Sequence, residues 1–189
     1  MIRTDVEIDG YEKILHIEHE ESGLDAFIVI HNTKLGPAIG GIRCYNYNSQ
    51  EAQLKDALRL SRGMTDKTAV AGLKHGGGKT VINALKIKDR NLAYQMLGLE
   101  VDALDGLYIC AGDVGTTIED LFKVKDSTKY VAGITLDSSL PTALGTYTSI
   151  KTLLKRDGLR TKDQTFTVQG LGKVGKHLVK MLDGKIEAY

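Results

Sequence analysis

Proline and cysteine are scarce in this chain, with two of each among 189 residues. Two prolines exclude a proline-rich linker or stalk. Two cysteines, Cys44 and Cys110, lie far apart. That excludes a disulfide scaffold or a thiolate metal pair and predicts a reduced, cytoplasmic protein. Charge of one sign is also missing, since 25 Lys+Arg face 24 Asp+Glu for a net charge of +1. A nucleic-acid or anionic-membrane partner needs a basic excess, so neither is expected. No run of eighteen apolar residues exists to span a bilayer. Met1–Gly10 mixes charged and apolar residues and does not read as a signal peptide. Internal repeats and low-complexity stretches are absent too.

Glycine is abundant instead, 21 residues against an average of about 7%. The glycines cluster at 36, 40 and 41, at 72 and 76–78, at 112 and 115, and at 170, 172 and 175. Clustered glycine without proline marks backbone that turns tightly or lies close to a ligand.

The hydrophobic pattern predicts an α/β chain. Ile14–Glu20 partly alternates like a half-buried strand, and Leu24–His31 is apolar on both faces, as in a doubly covered sheet. Ser49 opens a helix with Leu54, Ala57, Leu58, Ser61 and Met64 on one stripe. Thr80–Ile82 reads as a short strand, Asn91–Leu104 as a helix and Leu107–Cys110 as another short strand. Thr116 with Glu119 predicts a capping box. The polar segment Asp137–Pro141 reads as the boundary between residues 1–137 and 138–189, with Thr142 capping the next helix. Thr165–Gln169 is a predicted strand, followed by a helix to about Leu182 and a last run Lys185–Tyr189.

Two segments carry chemistry. Gly170, Leu171, Gly172, Lys173, Val174 and Gly175 spell G-x-G-x-x-G between a strand and a helix. This is the context in which the motif binds a dinucleotide pyrophosphate at a helix N-terminus. The ribose-binding acid belongs roughly 20 residues on, near position 190. Glu187 comes early, so the expectation is a cofactor half that begins here and is cut short. The second segment, GLKHGGGKT at 72–80, looks like a phosphate-binding P-loop but puts Leu73 where that loop needs glycine. A strand-like stretch also follows where a P-loop starts a helix. The alternative is a reactive amine: Lys79 held in a cleft, its pKa lowered by desolvation or by a second cation such as Lys67.

Five segments then resemble one family, the Glu/Leu/Phe/Val dehydrogenases, and its leucine, phenylalanine and valine branch more than its glutamate branch. They are LGPAIGGIR at 35–43, DALRLSRGMTDKTAVAGLKHGGGKTVI at 56–82, AGDVGTTIEDL at 111–121, PTALGTY at 141–147 and VQGLGKVG at 168–175. The resemblance implies a mixed-sheet substrate and dimerisation domain followed by the start of a Rossmann-type NAD domain. It implies that Lys79 is the catalytic base, that Lys67 binds the substrate carboxylate and that Asp113 moves protons. Gly40 and Gly41 line the cleft, and Thr142 lies near the nicotinamide. The branch is suggested by Ile39, which stands where glutamate enzymes carry a lysine and offers an apolar wall. The implied reaction is NAD-dependent deamination of an apolar L-amino acid to its 2-oxo acid by a homo-oligomer. A rival reading is an amino-acid-binding or assembly protein without a working dinucleotide site. The chain departs from the family pattern at Leu85-Lys86, at Gly112 and in the shorter connection Asp137–Pro141.

His16 and His19 are expected on opposite strand faces, unable to share a metal. No metal site is predicted, and both cysteines read as core.

Overall fold

The apolar run that begins at Leu24 is the interior of a sheet. The computed structural model describes residues 1–134 and 137–188. Contacts divide it into two units, Met1–Ile134 and Thr135–Tyr189. Thr135 and Leu136, beside the predicted boundary, and Tyr189, the last residue of the final predicted strand, lie outside the described residues.

In the first unit six strands form one mixed sheet: β1 Ile2–Asp5, β2 Lys13–His19, β3 Leu24–Asn32, β4 Ala38–Tyr45, β5 Gly76–Asn83 and β6 Tyr108–Gly112. Their order is β1-β2-β3-β5-β4-β6. The first four in that order run antiparallel, while β4 pairs parallel with both β5 and β6. Helix α1 (Gln50–Val70) covers one face, and α2 (Arg90–Asp102) and α3 (Ile118–Lys125) cover the other. Because strand side chains alternate, each strand feeds two cores. Ile28, Ile42, Ile82 and Tyr108 pack with Tyr94 and Leu97 of α2, whereas Phe27, Val29 and Val81 pack with Ala57 of α1.

Several local expectations shift. The buried positions of α1 are Gln53, Ala57, Ser61 and Thr68, and Leu54, Leu58 and Met64 are only partly covered. The stripe is polar because Gln53 donates its amide to the carbonyls of Asp25 and Val81 at 3.0 and 3.2 Å, satisfying groups that burial would otherwise orphan. The capping box is Thr117 with Asp120, one residue later than expected. The Thr116 hydroxyl instead donates to the Ile42 carbonyl at 2.7 Å. The largest change concerns the glycine run: Gly76–Gly78 is not a loop before a strand but the first three residues of β5. A Cβ on Gly77 would strike the Thr65 amide of α1, and one on Gly78 would lie 2.8 Å from the Tyr108 ring. These glycines let a helix and a tyrosine close on the sheet. No P-loop is formed.

The second unit holds α4 (Ser139–Arg156), β7 (Thr165–Val168), α5 (Lys173–Met181) and β8 (Lys185–Ala188), with β7 and β8 parallel. Thr142 does not cap α4. The helix begins at Ser139, whose amide donates to Asp137 Oδ1 at 2.9 Å, and the Thr142 hydroxyl donates to the Ser138 carbonyl at 2.7 Å. Pro141 fits inside the first turn because amide groups there have no helical acceptor to lose.

Gly63 lies mid-α1, exposed, with nothing within 4 Å of an added Cβ. Gly63→Ala is expected to stabilise the protein by about 0.5–1 kcal/mol, read as a higher urea midpoint with an unchanged slope.

Candidate active site

The C-terminal ends of parallel strands are where open α/β sheets place their ligands. Alternation sets Gly77, Lys79 and Val81 of β5 and Ile39, Gly41 and Arg43 of β4 on the face that α1 covers. Asp113 follows directly on β6. The result is an amine and a carboxylate in contact: Lys79 Nζ donates to Asp113 Oδ2 at 2.6 Å. Lys79 is 5% exposed, and the Asp113 side chain keeps 24% of its surface open.

Gly41 makes this approach possible. A Cβ there would lie 2.7 Å from Asp113 Cβ. Gly40 points to the other face, under Tyr108, whose hydroxyl donates to the Gly40 carbonyl at 3.0 Å. The glycine pair therefore splits between the two faces, with Gly41 beside the ion pair. Ile39 is half-buried on the Lys79 side, two residues before Gly41.

Burial pushes the Lys79 ammonium below its ordinary value of 10.5. Arg43 and Lys67 push the same way, against the hydrogen bond and charge of Asp113. Lys67, in the last turn of α1, is thus within electrostatic reach of Lys79. It is exposed and has no carboxylate partner among the described residues, which leaves an ammonium open to a ligand's anion. Burial raises the Asp113 carboxyl, but Lys79, the Val114 amide and Arg43 outweigh it and hold it below 3.8.

These directions set a pH dependence. A carboxyl lowered in the folded state adds stability above its unfolded value and loses it as pH falls through the folded one. A lowered lysine costs stability while protonated, a cost relieved as pH rises towards 10.5. Asp113→Asn should therefore cost roughly 2 kcal/mol at neutral pH. The deficit should shrink as pH falls below the carboxylate range, which urea titrations of both proteins at neutral and acid pH will check.

Three site neighbours escaped the sequence reading: Arg43, Asp56 and Tyr47. Arg43 Nε donates to Asp113 Oδ2 at 3.1 Å and Nη1 to Asp56 Oδ2 at 3.1 Å. Arg43 carried a usable signal, since it lies two residues after Gly41 on a strand and so must share its face. Asp56 and Tyr47 carried none, because their meeting depends on how α1 crosses the sheet. Beside them is a cleft of about 500 Å³ lined by Arg43, Tyr45, Tyr47, Lys55, Asp56 and Arg59, among others.

His75, next to the glycines, sets Nδ1 3.1 Å from the Pro37 carbonyl and takes no part in the Lys79–Asp113 contact. Burial pushes the Cys110 thiol up to about 12, so it is no nucleophile at neutral pH. His16, Glu18 and Asp25 bring ligand-type atoms within 4.8 Å of one another. Their charge is met within the protein, by Lys86 on Asp25.

In the second unit the loop after β7 turns at Gly170, with φ +90°, and leads to Gly172, around which an added Cβ would meet nothing within 4 Å. A Cβ on Gly175 would strike the Gly170 carbonyl oxygen, so only glycine lets α5 pack this close to the loop. Gly172 caps α5 without a side chain. Open backbone, bare helix amides and close strand–helix packing are what a dinucleotide pyrophosphate requires. Leu171 is exposed, and Lys173 and Val174 open the helix.

The first unit thus brings together a buried amine–carboxylate pair, where Asp113 at the end of β6 meets Lys79 of β5, and an exposed ammonium within electrostatic reach. Comparison with known proteins gives the family of the chain. The model of the Glu/Leu/Phe/Val dehydrogenase dimerisation domain matches residues 12–130. Leucine dehydrogenase of Geobacillus stearothermophilus is 45% identical over 188 residues, covering 94% of this chain and 51% of the relative. Phenylalanine dehydrogenase of Lysinibacillus sphaericus is 40% identical over 186 residues, 93% of this chain and 48% of the relative. The crystal structure of L-tryptophan dehydrogenase from Nostoc punctiforme superposes with a TM-score of 0.72 at 38% identity, over 95% of this chain and 53% of that one. The chain belongs to the Glu/Leu/Phe/Val dehydrogenase family. It spans about half the length of the curated relatives it matches. Among the described residues, no helix is long and apolar enough to cross a membrane.

Proposed function

We propose that this chain carries the substrate site of a cytoplasmic, NAD-dependent dehydrogenase that deaminates an apolar L-amino acid, with Lys79 as general base. The observation that carries the reading is the buried Lys79, bonded to Asp113 and within electrostatic reach of the exposed Lys67. Relatives named as leucine, phenylalanine and valine dehydrogenases support the substrate class. The matched family domain, described as a dimerisation domain, supports a homo-oligomer.

Lys67 pairs the substrate carboxylate, fixing Cα in the cleft. Lys79, as the free amine, takes a proton from the water that adds to the imino carbon. Lys79 returns that proton to the amine nitrogen and takes the carbinolamine hydroxyl proton as the C–N bond breaks. The Asp113 carboxylate relays protons through its hydrogen bond to Lys79 and steadies the departing ammonia. The amino acid and water thus yield a 2-oxo acid and ammonia, the two electrons leaving as hydride. Gly170–Gly175 would hold the cofactor pyrophosphate, and Thr142 would lie near the nicotinamide. When bound, that ring supplies the acceptor for the hydride from Cα.

The test is NADH formation with a panel of L-amino acids. Leucine, valine or phenylalanine should exceed glutamate in kcat/KM by roughly 100-fold or more, because Ile39 cannot pair a side-chain carboxylate. Preference for glutamate would remove the apolar assignment. The second reading, an amino-acid-binding or assembly protein, draws on the first unit alone holding Lys67, Lys79 and Asp113. Amino-acid binding without NAD binding or NADH formation would establish it instead.

A further inference from the structure

Asp113 has two cationic neighbours, and only one belongs to the reaction above. Arg43 Nε donates to the same Oδ2 that accepts from Lys79. The other end of this guanidinium is tied down, with Nη1 donating to Asp56 Oδ2 at 3.1 Å. Asp56 is fixed in turn: the Tyr47 hydroxyl donates to its Oδ2 at 2.6 Å and Arg59 Nε to its Oδ1 at 2.6 Å. The line Lys79–Asp113–Arg43–Asp56 runs unbroken from the middle of β5 onto α1.

We propose that Arg43, anchored by Asp56, is a positioning residue that keeps the Asp113 carboxylate aimed at Lys79 while the lysine is a neutral amine. The inference rests on Lys79 acting as the base of the proposed reaction. A base must give up its charge before it can take a proton. In that state Lys79 offers Asp113 only a neutral donor, and a half-buried carboxylate without a cation takes up a proton or turns to water. The guanidinium stays charged at every working pH. Its planar fork grips Asp113 along one edge and Asp56 along another, which the point charge of a lysine does not do. The same charge opposes protonation of Lys79, so Arg43 favours the reactive form as well as orienting its partner. The charged groups facing Lys79 are Asp113 from the end of β6, Arg43 from β4 and Lys67 from α1.

Competitive acetylation across a pH series, read by peptide mass spectrometry, gives the titration midpoint of Lys79 in the whole chain. Asp113→Asn should lower that midpoint in the wild-type background. In an Arg43→Gln background the same substitution should lower it by at least about half a unit less, roughly threefold in the proton equilibrium. An equal or larger effect of Asp113→Asn in the folded Arg43→Gln background overturns the proposal. If Arg43→Gln does not fold, the wild type decides through the Arg43 Nε–H signal in nitrogen-15 NMR. Persistence of a slowly exchanging signal above the Lys79 midpoint supports the proposal, and its loss there overturns it. Neither readout uses turnover. Failure to form NADH would therefore count against the dehydrogenase reading separately.

Discussion

Lys79→Ala is expected to lower kcat for amino-acid oxidation by about 10²- to 10⁴-fold, the contribution of a positioned acid–base group. Substrate affinity should change by only a few-fold, because the proposed partner of the carboxylate is Lys67 and not Lys79. Lys67→Ala should do the reverse, weakening binding by roughly 10- to 100-fold, the worth of a hydrogen bond between charged groups. The fold should survive Lys79→Ala: Asp113 keeps Arg43 as a charge partner, and the lost ammonium was itself penalised by burial. Steady-state kinetics with leucine, beside calorimetric titration of the amino acid, separates the two effects. A kcat within tenfold of wild type in Lys79→Ala removes the base assignment.

Gly40→Ala carries the largest expected loss of stability, about 3 kcal/mol. The new Cβ falls on the carbonyl oxygen of Gly78 and lies 3.1 Å from the Lys79 amide nitrogen. Both are backbone atoms of β5, which is held between β3 and β4. Neither strand can give way without breaking ladder hydrogen bonds, so the cost belongs at the upper end of overpacking. A domain with about 5–15 kcal/mol to spare loses a large share of it. Gly40 also carries the carbonyl that receives Tyr108, so the same shift disturbs the wall behind Lys79. Urea unfolding of Gly40→Ala beside Gly63→Ala gives the contrast in sign. A Gly40→Ala protein within about 1 kcal/mol of wild type would mean that β4 moves more freely than its two-sided pairing allows.

The strands and helices were legible where side-chain periodicity is unambiguous. Leu24–Ile30 is buried throughout, as an apolar run on both faces requires. The N-cap at Ser49 was legible because its hydroxyl accepts from the Ala52 amide, a local bond written into sequence spacing. The glycine run was not. Three glycines imply turns when read alone, yet here they are strand positions emptied so that α1 and Tyr108 can approach. The stripe of α1 was legible in part: Ala57 and Ser61 are buried and Leu54 and Leu58 pack against the core, but Gln53 is buried by its bonds to strand carbonyls, which hydrophobic spacing does not register. Lys79 was legible as a reactive amine behind the glycines, Asp113 came from motif resemblance alone, and the structure adds their 2.6 Å contact. Lys67 as a second cation near Lys79 was anticipated from charge chemistry alone, and the helix brings it within reach. Arg43 was in view within the quoted GGIR segment, but its partner Asp56 depends on tertiary packing.

The central claim is that Lys79 is an amine whose charge the protein disfavours. Carbon-13 NMR of labelled lysine side chains, with Lys79 assigned by Lys79→Arg, measures this in the resting protein. The account predicts a Lys79 midpoint below the ordinary 10.5. A Lys79 that titrates at or above 10.5, with Asp113 intact, contradicts it.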